Sequence, residues 1–277
     1  MSPVTFQIVS DLHLETHQSY DFTIKQTAPY LALLGDIGNV VDDGLFEFLK
    51  KQLTRYWAVF LLLGNHEPIG TSWVLAKRRV RDFADQMERL RTRSTIGRFV
   101  FLDQTRYDVN ETMTVLGCTL FSDVSAEQAI AVKSRLVGFK QIQDWTVEDH
   151  VEAHKLDVQW LNAQVCNITR EEPKRQIIIF THHSPTQDLR TMGPGHIGSP
   201  VSSGFVTNLS VEECWKNHSV VLWGFGHTHF QCDFTDDFGK RIIANQKGTS
   251  QIPCNGFNAK KTFLIGEDSQ KKTSGLI

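Results

Sequence analysis

Short apolar runs alternate along the chain with longer segments of helical periodicity. Five of these runs are four to six residues long, and each passes directly into a polar cluster: Val4–Val9, Leu31–Leu34, Ala58–Leu63, Ile177–Phe180 and Val220–Trp223. Continuous apolar runs of this length are typical of strands that are buried on both faces of a parallel sheet. The pattern therefore predicts an α/β protein whose buried strands end in polar side chains.

Two longer segments have the periodicity of amphipathic helices. Apolar residues recur every three or four positions from Trp73 to Leu90, and the arginines of this segment fall mostly off that stripe. A second stripe runs from Val147 to Val165, behind a capping box that begins at Thr146. A further capping box, from Ser210 to Glu213, predicts another helix start.

Two other segments predict less regular structure. Residues Phe230–Ile265 alternate short apolar runs with turn residues, which predicts a meander of short strands. Gln187–Asn208 is rich in glycine and proline, and a loop of that length in a compact protein usually has a function. Because no linker composition divides the chain, we expect one domain over residues 1–277, with a frayed tail at 266–277.

Composition narrows the class of protein. Hydrophobic residues make up 40% and charged residues 22% of the 277 residues, values unlike those of disordered or coiled-coil chains. The net charge of −2 disfavours a nucleic-acid polymer as partner. The apolar runs are too short to cross a membrane, and the five cysteines form no C-x-x-C pair, which favours a reducing compartment. With no signal-peptide pattern, we expect a soluble, cytoplasmic protein with no membrane partner.

Clusters of aspartate, asparagine and histidine follow the five apolar runs. In chain order they are Ser10–His13, Gly35–Asn39, Gly64–Glu67, Thr181–Pro185 and Gly226–His229. The C-terminal ends of parallel strands meet at one edge of a sheet, where α/β proteins build their sites. The candidate metal ligands in these clusters are Asp11, His13, Asp36, Asn65, His182, His227 and His229.

The ligand types indicate the chemistry. Imidazole and carboxylate donors without thiolate suit Mn, Fe, Zn or Ni. Seven ligands are too many for one ion, but a bridging Asp36 divides them into two sets of four, as a two-metal site requires. Two divalent cations and two carboxylates leave a positive charge, which attracts a phosphoryl group. We therefore expect two divalent transition-metal ions and a small-molecule phosphate ester as substrate.

The ordered set Asp-x-His, Gly-Asp, Gly-Asn-His-Glu, His and Gly-His-x-His resembles the calcineurin-like metallophosphoesterase superfamily over about residues 4–245. The resemblance implies a four-layer α/β/β/α sandwich with a dinuclear metal site at the C-terminal ends of the strands. It also implies two ligand sets that share Asp36. One set is Asp11, His13, Asp36 and His229, and the other is Asp36, Asn65, His182 and His227.

The resemblance also assigns roles around the metals. His66 matches the family's histidine near the leaving group and is the predicted catalytic acid; the alternatives are that it holds a phosphate oxygen or has a purely structural role beside the ligands. Asn65 and His183 are predicted to contact the substrate, although His183 has an alternative role behind the ligands. His196 is predicted to contact the substrate from its place in the loop rich in glycine and proline, and is equally well a mobile surface residue. Glu67 is expected to support the loop around Asn65 and His66.

Departures from sub-family patterns favour one branch. Val40 stands where protein phosphatases of this superfamily have a phosphate-clamping arginine, and Asn39 stands where purple acid phosphatases have a tyrosine ligand. With His13 present, the first cluster is closer to the small phosphodiesterases. We therefore expect a phosphodiesterase acting on small or nucleotide-like esters, with a metal-bridging hydroxide as nucleophile.

Other interpretations stay open at this point. A phosphomonoesterase would use the same ligands, and a nuclease is disfavoured by the charge balance. A non-catalytic scaffold is disfavoured because unused buried Asp and His groups would carry a desolvation cost. His150 and His154 have a spacing that would also suit a metal on a helix, but His154 lies on the apolar stripe, which favours core histidines.

Overall fold

The computed structural model describes residues 3–16, 20–249, 251 and 253–266. The strands in this part are β1 (Val4–Val9), β2 (Tyr30–Leu34), β3 (Ala58–Leu62), β4 (Arg98–Phe101), β5 (Thr105–Asn110), β6 (Met113–Gly117), β7 (Gln176–Phe180), β8 (Val220–Phe225), β9 (Cys232–Thr235), β10 (Arg241–Ala244) and β11 (Thr262–Ile265). The helices are α1 (Asp43–Leu53), α2 (Trp73–Arg91), α3 (Ala129–Arg135), α4 (Gly138–Gln141), α5 (Val147–Glu171) and α6 (Glu213–Lys216). All five predicted strands are present, with bounds that differ by at most two residues.

The strands form two sheets. The first has the order β11-β1-β2-β3-β4, in which β1 to β4 are parallel and β11 pairs antiparallel with β1. The second has the order β5-β6-β7-β8-β10-β9, with a parallel centre and an antiparallel strand at each edge. Parallel central strands bring their C-terminal ends to one edge of each sheet.

Side chains of each central strand alternate between two apolar layers. In β7, Ile178 and Phe180 face the other sheet and pack in one cluster with Phe60 of β3. Ile177 and Ile179 point the opposite way and pack in the cluster that includes buried residues of α5. The outer face of the first sheet packs in the same manner against α1 and α2. The layers therefore follow the order α/β/β/α, which confirms the predicted sandwich.

The two predicted amphipathic helices are present. Helix α2 begins after Ser72, whose hydroxyl accepts the backbone N–H of Leu75 at 3.3 Å. Its buried stripe ends at Met87, since Leu90 in the last turn is exposed. Helix α5 begins with the predicted capping box, in which Thr146 and Asp149 each accept the other's backbone N–H.

The capping box predicted at Ser210 is wrong. Helix α6 begins at Glu213, and the backbone N–H of Ser210 donates to the side chain of Asn208 in a local turn. The N–H of Cys214, in the first turn of α6, donates instead to the side-chain oxygen of Asn162 at 2.9 Å. A residue of α5 thus caps α6 from outside, and no local sequence pattern reports such a cap.

The meander predicted for Phe230–Ile265 is also wrong. Strands β9 and β10 form an antiparallel hairpin at the edge of the second sheet. Strand β11 then crosses to the first sheet and pairs with β1. The edge of β1 offers unpaired backbone groups to the last strand, so β11 pairs with a strand about 260 residues away rather than with its neighbour in sequence.

The loop predicted at Gln187–Asn208 contains only three short 3₁₀ turns among its regular elements: Leu189–Thr191, Pro194–His196 and Ser202–Gly204. No helix in the described ranges is long and apolar enough to cross a membrane. A single domain over residues 1–277 stays a prediction. Residues 267–277, most of the predicted tail, lie outside the described part of the chain.

Candidate metal centre

Loops from both sheets meet at the C-terminal ends of β1, β2, β3, β7 and β8. Backbone hydrogen bonds tie these loops together: the N–H of Asp11 donates to the carbonyl of Gly35 at 3.0 Å, and that of His13 donates to the carbonyl of Asp36 at 2.9 Å. Within the second sheet, the N–H of Gly226 after β8 donates to the carbonyl of His182 after β7 at 2.9 Å. The seven predicted ligands are therefore brought to one edge of the sandwich.

Five of the predicted ligands have a left-handed backbone conformation. The φ angles are 53° for Asp11, 48° for His13, 53° for Asp36, 69° for His227 and 48° for His229. A non-glycine residue in this region costs on the order of 1–3 kcal/mol and persists only where the surrounding structure holds it. Such residues concentrate at functional sites, which makes this loop cluster the principal candidate.

The first group of ligand atoms comes from Asp11, His13 and His229, whose donor atoms all lie within 4.8 Å of one another. The Nε2 atoms of His13 and His229 are 3.1 Å apart, and His229 Nε2 is 3.3 Å from Asp11 Oδ1. His13 Nδ1 lies 3.1 Å from the Glu15 carboxylate, which only accepts hydrogen bonds. His13 in its neutral form therefore directs an Nε2 lone pair towards His229, an arrangement that a cation between them would satisfy.

The second group consists of Asp36, His182 and His227. His182 Nδ1 lies 2.9 Å from the carbonyl of Leu34, and its Nε2 lies 3.4 Å from Asp36 Oδ2. Asn65, predicted as the fourth member, places its Oδ1 3.1 Å from the same Nε2. His227 Nε2 lies 3.2 Å from the carbonyl of Gly204. In each histidine one nitrogen donates to a carbonyl, which leaves the other as a possible ligand.

Asp36 lies between the two groups. Its Oδ2 is 3.4 Å from His182 Nε2 and 3.9 Å from His13 Nε2, while its Oδ1 accepts the backbone N–H of His66 at 2.8 Å. A third set of possible ligands, His13, Asp36 and His66, overlaps both groups. The donor set therefore fits two cations that share one carboxylate.

The charges around this centre demand positive partners. Burial alone would raise the pKa of Asp36, but His182, His66 and His13 hold it well below its usual value. Burial acts in the same direction on Asp11, where His229 outweighs it and lowers the pKa. Two ionised carboxylates are thus buried within one small region. Such charges are stable only beside cations, whether imidazolium or metal.

Glu67 has a larger structural role than the sequence predicts. It is fully buried, and its carboxylate accepts the backbone N–H groups of Asp36 at 3.0 Å, Ile37 at 2.7 Å and Gly64 at 2.7 Å. Besides the loop at Asn65, it therefore holds the ends of β2 and β3 together. The position of Asp36 depends directly on this contact.

His66 lies at the rim of the centre, where its side chain is 22% exposed. Its Nδ1 is 3.0 Å from Glu15 Oε1, and its ring centroid is 4.5 Å from that of His13. Sequence reasoning missed Glu15. Its place two residues after His13 was the only available signal, because nothing in the sequence connects it with His66.

His183 and His196 both lie near His227. His183 is 1% exposed, and its ring is 4.3 Å from that of His227. This packing favours the alternative in which His183 supports the ligands from behind. His196 is partly buried and packs at 5.3 Å against Phe205, which stacks on His227 at 4.6 Å. The ring of Phe205 therefore lies between His196 and the proposed ligand His227.

The interpretation of His150 and His154 as core histidines is confirmed. His150 Nε2 accepts the backbone N–H of Ser122 at 3.0 Å, and His154 Nδ1 lies 2.8 Å from the carbonyl of Leu120. Both are buried, and within the described ranges neither belongs to a group of possible metal ligands.

Comparisons with known proteins identify proteins of similar sequence and fold. A sequence model described as calcineurin-like phosphoesterase matches residues 4–231. An uncharacterized protein of Acanthamoeba polyphaga mimivirus is 28% identical over 275 residues, covering 90% of this chain and 92% of the viral protein. Phosphopantetheinyl hydrolase from Mycobacterium tuberculosis is similar in structure, with a TM-score of 0.67, 14% identity and coverage of 96% of this chain and 97% of that one. A dimetal phosphatase from Danio rerio has a TM-score of 0.51, 12% identity and coverage of 87% and 86%.

Proposed function

Since this chain belongs to the calcineurin-like phosphoesterase family, we propose that it is a metal-dependent phosphodiesterase acting on small or nucleotide-like phosphate esters. The observation that carries the proposal is the position of Asp36, whose Oδ2 faces ring nitrogens of both His13 and His182. One carboxylate shared between two groups of ligands is the arrangement that a two-metal phosphoesterase requires.

We propose two divalent transition-metal ions as cofactors, chosen from Mn, Fe, Zn and Ni. One would be held by Asp11, His13, Asp36 and His229, and the other by Asp36, Asn65, His182 and His227. When bound, such ions polarise phosphoryl oxygens and bring the pKa of a coordinated water towards about 7.

We assign His66 as the proton donor to the leaving group. Burial disfavours its imidazolium form, but the carboxylates of Asp36 and Glu15 outweigh burial and raise its pKa to about 9. Because Nδ1 faces Glu15, Nε2 remains to protonate a departing alkoxide oxygen. Asn65 and His196 are proposed to contact the substrate, and His183 to support the ligand histidines.

The proposed preference for diesters rests on the amount of positive charge that the site presents to the substrate. A phosphomonoester carries an additional negative charge, which a further cationic side chain such as arginine can neutralise. Val40, which is buried, occupies the position of that arginine in the protein phosphatases. The second candidate is a phosphomonoesterase, in which the two metals alone would neutralise the dianion.

Substrate class is best tested with a panel. Bis-p-nitrophenyl phosphate and p-nitrophenyl phosphate would be compared on metal-stripped protein supplied with Mn, Zn, Ni or Fe(II). The name of the Mycobacterium tuberculosis neighbour adds an ester with a phosphopantetheinyl group to this panel. Metal-dependent turnover that is faster on the diester supports the proposal, and faster turnover of the monoester favours the second candidate.

The scaffold hypothesis makes a different prediction. A scaffold would bind no metal and would hydrolyse no ester in the panel, whereas the proposed enzyme binds two ions per chain.

We propose a small-molecule substrate rather than a nucleic-acid polymer, and a cytoplasmic location. Fractionation of cells that express the full chain tests the location.

A further inference from the structure

Glu15 contacts two histidines of the centre with a single oxygen atom. It lies in the short 3₁₀ turn Leu14–Thr16, which directly follows the loop of Asp11 and His13. Its Oε1 is 3.1 Å from His13 Nδ1 and 3.0 Å from His66 Nδ1. One histidine is a proposed metal ligand, and the other is the proposed proton donor.

The contacts of Glu15 differ from those of a structural carboxylate. Glu67, whose carboxylate has a structural role in this protein, accepts three backbone N–H groups with its two oxygens. Glu15 Oε2 is buried and has no hydrogen-bond partner in the part of the chain that the structure describes. The described hydrogen bonds of the Glu15 carboxylate are therefore those to His13 and His66, so its position serves the histidines rather than the backbone.

The turn that carries Glu15 is itself attached to His13. The backbone N–H of Thr16 donates to the carbonyl of His13 at 3.1 Å, and the Thr16 hydroxyl donates to the same oxygen at 2.7 Å. These bonds hold Glu15 beside His13, from where its carboxylate reaches His66 in the loop that follows β3. The two imidazole rings meet edge to face at 76°.

We propose that Glu15 is a positioning residue that fixes, through one carboxylate oxygen, the ring orientation of both His13 and His66 and keeps a proton on Nδ1 of each ring. A carboxylate oxygen accepts both Nδ1–H groups, so the Nε2 atoms of the two rings are directed to other tasks. Nε2 of His13 faces the ligands His229 and Asp36, and Nε2 of His66 is available to the leaving group. Glu15 thereby couples the proton donor to the adjacent ligand group. The catalytic part of this inference rests on the proposed function.

Two substitutions separate the parts of this role. Glu15→Gln keeps an acceptor oxygen but loses the charge, and Glu15→Leu removes the acceptor. Glu47→Gln, on the exposed surface of α1, is the matched control. Nitrogen-15 NMR of the metal-free protein reports the imidazole tautomers without any requirement for activity. We expect Glu15→Leu to abolish the Nδ1–H signals of His13 and His66, and Glu15→Gln to retain them.

Turnover supplies a second measurement, on a p-nitrophenyl diester and on an alkyl diester with a poor leaving group. Proton donation matters more for the poor leaving group. Glu15→Leu should lower turnover of the alkyl ester by about 10- to 100-fold, and turnover of the p-nitrophenyl ester by clearly less. Unchanged Nδ1–H signals in Glu15→Leu, or an equal loss on both esters with lowered thermal stability, would overturn the proposal. If the wild-type protein hydrolyses neither ester, the proposed function fails, and the NMR signals still decide the role of Glu15.

Discussion

The carboxylate of Asp11 accepts the backbone N–H of His227 with both of its oxygens, at 3.1 Å each. Asp11 follows β1 of the first sheet and His227 follows β8 of the second, so the contact joins the two sheets at the candidate metal centre. The same carboxylate lies in the first group of ligands. The proposed metal ligation and one contact between the two sheets therefore use the same side chain.

Substitution of the shared carboxylate should have a larger effect than substitution of an unshared one. Asp36→Asn is expected to lose both metal ions and to lower turnover at least about 100-fold. Asp11→Asn should lose only the ion held with His13 and His229, because Asp11 belongs to one group. Elemental analysis of the purified variants gives the metal-to-chain ratio. Two ions per chain with normal turnover in Asp36→Asn would sink the proposed ligand set.

Removal of the proposed proton donor should leave metal content unchanged. His66→Asn keeps a polar side chain at the rim of the centre but cannot donate a proton as an imidazolium does. Loss of a general acid lowers turnover by roughly 10²- to 10⁴-fold. Steady-state kinetics and elemental analysis on the same preparation test this expectation. A variant that loses metal along with activity would identify His66 as a ligand instead.

The buried carboxylate of Glu67 is expected to contribute strongly to stability. Glu67→Gln retains one acceptor oxygen but turns an NH₂ group towards backbone N–H donors. A buried backbone N–H that loses its acceptor costs about 1–3 kcal/mol, so we expect the free energy of unfolding to fall by roughly 2–5 kcal/mol. Urea denaturation measures the change. The control is Glu47→Gln, which should change stability by less than about 0.5 kcal/mol; an equal effect of both variants would contradict the assignment.

The buried His150 should make stability depend on pH. Burial lowers the pKa of His150 to about 3, and the neighbouring His154 acts in the same direction. In the unfolded chain the pKa is about 6.5, so between these values the unfolded state binds more protons. This contribution to stability is present above about pH 6.5 and is lost as the pH falls towards 3. The slope is at most about 1.4 kcal/mol per pH unit.

His150→Gln should flatten this dependence. Glutamine can accept the backbone N–H of Ser122, which His150 Nε2 accepts at 3.0 Å, but does not titrate. Denaturation of the wild-type and variant proteins at a series of pH values, without metal, measures the difference. The stabilities of the two proteins should converge as the pH falls from 6.5. Parallel curves over this range would show that His150 does not contribute to the pH dependence.

Gln128 should affect metal binding without touching a ligand. Its Oε1 accepts the backbone N–H of Ser203 at 2.8 Å, and the carbonyl of the following residue, Gly204, lies 3.2 Å from His227 Nε2. Gln128→Ala should release this segment and weaken binding of one ion by about 10- to 100-fold, since loss of a ligand's hydrogen-bond partner typically has this effect. Titration calorimetry with Mn measures the affinity. Gln159→Ala, at an exposed position of α5, is the control and should leave both affinities unchanged.

The part of the site that strands deliver could be predicted from the sequence. Asp11, Asp36 and His182 each stand two residues after an apolar run, and parallel strands bring such positions to one edge. The contact of Glu15 with His66 could not be predicted, because it joins residues 51 positions apart with no shared periodicity. The same holds for the cap that Asn162 supplies to α6.

Strand β6 shows why parts of the fold could not be predicted from the local sequence pattern. It lies inside the second sheet and is buried throughout, yet Thr114 interrupts its apolar run. The Thr114 hydroxyl donates to Asp108 Oδ1 on β5 at 2.7 Å, which satisfies it without water. A buried polar residue is compatible with a central strand only because a neighbouring strand supplies its partner, and that partner is visible only in three dimensions.

The five left-handed backbone positions at the centre set a limit on how this protein can be engineered for heat resistance. Glycine adopts φ angles of 48–69° without the steric penalty that Asp and His experience. A selection that rewards stability alone would therefore favour glycine at a position such as His229, where the side chain is 20% exposed, and would remove a proposed ligand in doing so. Directed evolution of this protein for thermal stability therefore has to select for metal binding in every round.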